Sequence, residues 1–243
     1  MEEKKAKVIC YQRRARRDMI SKLPDSLISQ ILLYLPTKEV VKISVLSKRC
    51  KSVWLLIPEL DLECYEFPDY NAFVGFMDKF LDFYRAQNSC LDKLKLSIRT
   101  DKKDQSCVTR WIDFVATRKL KHLDVKFICP KYLQVMPVSL YICEKLVYLR
   151  LHRVSLGGSF ESVSLPCVKT MCLKENVYAK VTDFESLISS CPVLEDLRIA
   201  RRLDDNVLVL RVYSKTITSL RVGFVRGFHG FFYFNRDTFR AFD

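Results

Sequence analysis

Residues 143–154, CEKLVYLRLHRV, and residues 190–200, SCPVLEDLRIA, carry the same phrase. In each, a cysteine is followed three residues later by the first apolar residue of a pattern L-x-x-L-x-L or its close equivalent. Leu146, Leu149 and Leu151 of the first match Leu194, Leu197 and Ile199 of the second. Working outward, the phrase returns at Leu91, Leu94, Leu96, at Leu120, Leu123, Val125, at Val168, Met171, Leu173, and more weakly at Ile217, Leu220, Val222. The intervals between first positions are 29, 26, 22, 26 and 23 residues. A fixed period in this range marks a repeat architecture, in which alternation within each phrase turns one set of side chains inward from a short strand.

One such unit cannot bury its own apolar face, so the strands are expected to stack into a curved parallel sheet, an α/β leucine-rich-repeat solenoid spanning residues 89–225. Helical patterns between the phrases are clearest at Val108–Ala116 and Phe184–Ser190. Cys143 and Cys191 are expected to close helix-to-strand turns as small buried residues. Residues alternating with the buried positions, Lys93, Lys95, His122, Asp124, Tyr148, Arg150, Asp196, Arg198 and Arg221, are the candidate substrate-reading surface of the concave wall.

Upstream, residues 18–62 pack three short helical patterns, stops at two of their three prolines and an excess of apolar side chains into one block. Stepping about 100° per residue from Leu27, the side chains of Leu27, Ile28, Ile31, Leu32 and Leu35 share one arc of about 140°, with Leu33 and Tyr34 outside it. A second pattern, Thr37–Leu46, has Thr37 at the N-cap position and Glu39 in its first turn, and spreads its apolar residues round the axis. A segment this short is at the lower limit for an independent core, so the surplus apolar surface points to a protein partner. Residues 63–88 are expected to form a connecting helix, with Phe73, Phe76, Met77, Phe80, Leu81 and Tyr84 at helical spacing.

The wording of the block resembles the F-box, most closely the plant version that precedes leucine-rich repeats. Asp18, Ile20, Ser21, Leu23, Pro24 and Asp25 stand at its entry phrase, Leu35–Glu39 at its middle turn, and Val45–Arg49 with Trp54 at its third helix. Cys50 stands where that family usually has Trp, which implies a looser third helix. VSLPCVKTMCL (Val163–Leu173) and SCPVLEDLRI resemble the repeat part of the same family, including its FBD-type members. The resemblance implies a three-helix module that binds the Skp-type adaptor of a cullin-based ubiquitin ligase while the repeats select a target. The adaptor-binding candidates are Leu23, Pro24, Leu27, Ile28, Ile31, Leu32, Leu35, Pro36, Val40, Val41 and Leu46. Such relatives often carry a further C-terminal domain, which this chain is expected to lack, residues 226–243 being expected as a divergent tail.

Composition narrows the remaining classes. With 49% hydrophobic and 28% charged residues, the 243-residue chain is not a disordered one. No apolar run reaches the roughly 18 residues of a membrane span, and residues 1–17 lack the apolar centre of a signal peptide, so the expected location is nucleus or cytoplasm. The ten cysteines include no C-x-x-C pair and are expected as thiols, without a metal site. Of the net charge of +13, residues 1–17 contribute seven cations against two anions, and the basic tail fits a nuclear-import signal or a solvated arm. The scattered remainder is a weak footprint for nucleic acid. RGFHGFFYF at Arg226–Phe234 resembles the aromatic strand of an RNA-recognition motif, but that fold needs a further helix and strand, for which the nine residues after Phe234 are too few, so an RNA-binding role is not expected. The histidines stand apart from any nucleophile phrase, and the six glycines form no phosphate-cradling loop. The expectation is therefore a non-enzymatic adaptor without cofactor. The alternatives are a repeat scaffold outside ubiquitin transfer and a basic nucleic-acid binder.

Overall fold

The computed structural model describes residues 22–35, 37–44, 57–99, 106–128, 130–157, 163–202, 212, 214–224 and 232–234. In chain order the elements are α1 (Asp25–Leu33), α2 (Thr37–Ser44), β1 (Glu59–Glu63), α3 (Tyr70–Ala86), β2 (Lys93–Ile98), α4 (Ser106–Ala116) and β3 (His122–Phe127). They continue with β4 (Gln134–Val135), β5 (Tyr148–His152), β6 (Val154–Leu156), β7 (Thr170–Lys174), β8 (Val177–Tyr178), α5 (Val181–Ser189), β9 (Asp196–Arg201), β10 (Ser219–Phe224) and β11 (Phe232–Phe234). The fold is mixed α/β, with the helical block at the N-terminal end of a largely parallel sheet.

Every L-x-x-L-x-L phrase contributes a strand, and the strands pair without slippage. Leu94, Leu123, Leu149, Met171, Leu197 and Leu220 stand opposite one another across the sheet, as do Leu96, Val125, Leu151, Leu173, Ile199 and Val222. Register is fixed because a one-residue slip moves a strand's whole apolar set to the other face. The leading residues Leu91, Leu120, Leu146, Val168 and Leu194 are buried below the strands. Just before each strand one carbonyl ties the chain to the next repeat. The carbonyls of Asp92, Lys121, Val147, Lys169 and Glu195 each accept two N–H groups from the following repeat, at 2.8–3.2 Å.

The sheet order is β1-β2-β3-β5-β7-β9-β10-β11, all parallel except the last pair. Its first strand corrects the boundary expected at residue 62. Glu59–Glu63 pairs with β2 residue by residue, so the end of the helical block is the first strand of the sheet. The signal is legible afterwards: Ile57, Leu60 and Leu62 repeat the phrase once more. In consequence α3 is the helical return between two adjacent strands instead of a connector between domains. Asp69 caps it by accepting the Ala72 N–H at 2.8 Å. Phe73, Met77, Phe80, Leu81 and Tyr84 are buried as expected, Phe76 only partly. The Tyr84 hydroxyl donates to the Ile57 carbonyl and pins the helix to the start of β1.

A second sheet, β4-β6-β8, was not foreseen, since its strands have only two or three residues. The chain enters it through left-handed turns at Arg153 (φ 59°) and Glu175 (φ 53°), a conformation that disfavours side chains with a Cβ. The turns are held by Arg153 N–H to Lys174 O at 2.9 Å and by Glu175 N–H to Ala200 O at 2.6 Å. Asn176 completes the corner: its Oδ1 accepts the Val154 N–H and its Nδ2 donates to the Leu151 carbonyl, both at 3.1 Å. The cysteines close their turns as expected. Cys143 and Cys191 are buried, and their thiols donate to the carbonyls of Leu120 and Leu187. Burial pushes both thiols up, Cys191 to about 11, against a nucleophilic role. Within the expected divergent tail, β11 pairs antiparallel with β10 and covers that edge of the sheet.

Candidate functional site

Two surfaces follow from this architecture, one on the helical block and one on the sheet. In the block, α1 and α2 pack over a small core of Ile28, Leu32, Val40 and Ile57, with Leu23 and Ile43 partly buried against it. The 140° arc therefore splits. Ile28 and Leu32 turn inward, while Leu27, Ile31 and Leu35 remain 44%, 48% and 36% exposed. Three of the adaptor-binding candidates, Ile28, Leu32 and Val40, are thus corrected to core positions, because the block spends that apolar surface on itself. Pro24 is exposed, and Leu23 and Val41 are half-buried. Pro36 and Leu46 lie outside the described residues, as do the tail at 1–17 and the expected third helix with Cys50 and Trp54. Leu33 (44%) and Tyr34 (90%), which the stripe argument set aside, extend the outward apolar surface.

The block is fastened to the sheet edge. Thr37, expected at the N-cap, begins α2, and its hydroxyl accepts the Asp61 N–H at 3.0 Å. That N–H lies on the outer edge of β1, so a side chain from the block supplies a partner that a neighbouring strand would otherwise give. Lys38 and Glu66 form an ion pair at 3.0 Å across the same junction. Between the two parts lies a hollow of about 240 Å³ walled by Leu32, Leu35, Val40, Ile57 and Leu60.

On the sheet, the register gathers all nine substrate-reading candidates into two rows. Lys93, His122, Tyr148 and Asp196 fall in one row; Lys95, Asp124, Arg150, Arg198 and Arg221 fall in the next. Sequence spacing alone missed the first strand's contribution, Glu59, Asp61 and Glu63, because that strand was assigned to the block. It also missed Thr170 and Cys172 in the same two rows and a third row containing Ser97, Lys126, His152 and Lys174. The face is crossed by ion pairs: Lys93–Glu59 at 3.0 Å, Lys95–Asp61 at 2.9 Å, Arg150–Asp124 at 3.5 Å and Arg198–Asp196 at 2.6 Å. Each is open to solvent on at least one side and contributes little to stability, so these charges remain available for recognition.

Burial pushes the Asp124 carboxyl up, in spite of the opposing pull of Arg150 and Lys95. Burial likewise pushes the Tyr148 phenol up, and its ring meets His122 edge-on at 6.1 Å. At the rim, burial lowers the affinity of His152 for a proton, outweighing its hydrogen bond to Glu175 at 3.0 Å. Burial acts to raise the Glu175 carboxyl, but hydrogen bonds from His152 and Arg153 and their charges hold it below its usual range. Among the described residues no group of three His, Cys, Asp or Glu side chains is placed to hold a metal ion, and no helix is long and apolar enough to cross a membrane.

Comparison with known proteins bears on both surfaces. The F-box domain matches residues 20–59, ending where β1 begins, and the repeat model "FBD-associated F-box protein At5g56370, LRR repeats" matches residues 108–229. Block and sheet thus define an F-box protein with leucine-rich repeats. The chain belongs to the FBD-associated F-box/LRR family. It is 63% identical over 227 residues to FBD-associated F-box protein At5g44490 of Arabidopsis thaliana, covering 90% of this chain and 47% of the relative. To FBD-associated F-box protein At5g22730 of the same plant it is 65% identical over 211 residues, 86% of this chain and 45% of the relative. F-box/FBD/LRR-repeat protein At5g22660, again from Arabidopsis thaliana, is 42% identical over 211 residues, with coverages of 86% and 46%. The chain spans about half the length of the curated relatives it matches.

Proposed function

We propose that the chain is the substrate-recognition adaptor of a Skp-cullin-F-box ubiquitin ligase, working in the nucleus or cytoplasm. The observation that carries this reading is the outward apolar set Leu27, Ile31, Leu33, Tyr34 and Leu35 on a block that matches the F-box domain. An apolar cluster of this kind on so small a block is the signature of a docking surface. The repeats, read as a leucine-rich-repeat solenoid, present a charged face to a target protein. The hydrogen bond and ion pair at the Thr37 junction fix that face relative to the docked adaptor. In this reading the chain carries out no bond-making step. It raises the local concentration of a target beside the ubiquitin-conjugating enzyme that the cullin brings.

The test is co-expression of the full chain with a Skp-type adaptor and a cullin, followed by size-exclusion chromatography. A co-eluting ternary complex is expected. A chain that elutes alone, folded and with its repeats intact, would leave a repeat scaffold outside ubiquitin transfer.

A further inference from the structure

The polar face of the sheet is not electrically uniform, and the register sets the difference. Near the docking block, Lys93 and Lys95 each have a carboxylate directly opposite on β1, Glu59 and Asp61, at about 3 Å. In the third row Lys126, His152 and Lys174 are successive neighbours on β3, β5 and β7, which places the two lysines roughly 10 Å apart across two strand spacings. Lys126 is exposed, and no carboxylate among the described residues forms an ion pair with it. Lys174 reaches Glu175 only at 4.0 Å, and that carboxylate already serves His152 and Arg153. Arg150 stands in the adjoining row, beside the half-buried Asp124. Together these groups wall a hollow of about 280 Å³.

Lys126 and Lys174 flank His152 from the strands on either side of it, and with Lys95 and Arg150 they outnumber the carboxylates lining the hollow, which leaves this part of the face with an excess of positive charge. We propose that the hollow receives a carboxylate side chain from an extended acidic segment of the target protein. The inference rests on the reading of the repeat face as the target-binding surface and names the chemistry that surface takes. A peptide fits the charge pattern better than a nucleic acid. Glu63 and Asp124 also line the hollow, and Glu59 and Asp61 stand beyond them. An unbroken phosphate chain would run into these carboxylates, whereas a peptide is free to place neutral or basic residues there.

The experiment measures anisotropy of fluorescein-labelled hexaglutamate with the purified full chain at low salt, against a labelled oligothymidylate of equal charge. Lys126→Glu with Lys174→Glu is expected to weaken hexaglutamate binding by about tenfold or more. The milder pair Lys126→Gln with Lys174→Gln is expected to weaken it in the same direction and stands in if the reversed pair fails to fold. Lys79→Glu with Lys145→Glu, exposed lysines outside the three rows, is expected to leave binding unchanged. The proposal is overturned by absence of hexaglutamate binding, by equal loss in the control pair, or by tighter oligothymidylate binding through the same lysines. Capture of the Skp-type adaptor by each variant is measured in parallel, so a failure of the docking reading registers separately from a failure of the acidic-segment reading.

Discussion

Leu27 and Ile31 project from the outward side of α1 while Ile28 and Leu32, one residue along, fill its inward side; truncating the two pairs should therefore have opposite consequences. Close to half of the Leu27 and Ile31 surface is open, at 44% and 48%. Covering that share beneath a partner is worth about 0.7–1.4 kcal/mol per residue, given roughly 1.5–3 kcal/mol for burying the whole side chain. Leu27→Ala with Ile31→Ala should thus weaken binding of the Skp-type adaptor by about ten- to hundredfold. The fold should hardly respond. Ile28 and Leu32, at 2% and 3% exposure, have no surface left to give a partner. Each truncation to Ala there should destabilise the block by about 2–5 kcal/mol through lost contacts and a cavity. Isothermal titration against the adaptor, paired with urea unfolding of each variant, separates the two effects. Adaptor affinity unchanged within twofold for the outward pair, or equal destabilisation by both pairs, would refute the division of α1 into a docking side and a core side.

Three further outcomes are expected. Asn176→Ala should cost about 2–4 kcal/mol in urea unfolding, because it strips a buried N–H and a buried carbonyl of their partners; a loss below about 1 kcal/mol would show that water replaces the side chain at the corner. Thr37→Val keeps the shape of the side chain but removes the acceptor for the Asp61 N–H, so that amide should exchange with solvent faster than in the parent, while amides of β5 and β7 keep their protection. Unchanged exchange at Asp61 would remove the junction from the account. Stability should also fall as the solution is acidified. The folded state resists protonating His152 below its ordinary value of 6.5, while the unfolded chain does not, so stability is lost as pH drops beneath that value. The Glu175 carboxyl, held below its ordinary 4.5, contributes stability above that value that disappears as pH falls through its lower folded one. His152→Gln keeps a donor toward Glu175 and does not titrate, so the component nearest neutrality should vanish in unfolding curves taken from about pH 7 down to 5; identical curves for parent and variant would contradict it.

What the sequence by itself determined is the repeating part. Leucines two residues apart, recurring at intervals of 22 to 29 residues, leave few arrangements other than stacked strands with one apolar side, and even single buried residues such as Cys143 and Cys191 were legible. That the nine substrate-reading candidates share two rows of the sheet was legible for the same reason: alternation along a strand says which residues do not face the core. Tertiary structure alone decided the ends and the edges. Ile57, Leu60 and Leu62 look like the tail of a helical block until their pairing with β2 makes them the first repeat, since a single copy of the phrase adjoining a different pattern carries no period. Helical angle alone could not divide the arc on α1, because an arc of about 140° is wide enough to serve two neighbours, and only the position of α2 and Ile57 shows that Ile28 and Leu32 face one way while Leu27 and Ile31 face the other. The charge pattern across the sheet belongs to the tertiary level as well. Lys126 and Lys174 are 48 residues apart in the chain and come to flank His152 only when parallel pairing sets their strands on either side of β5.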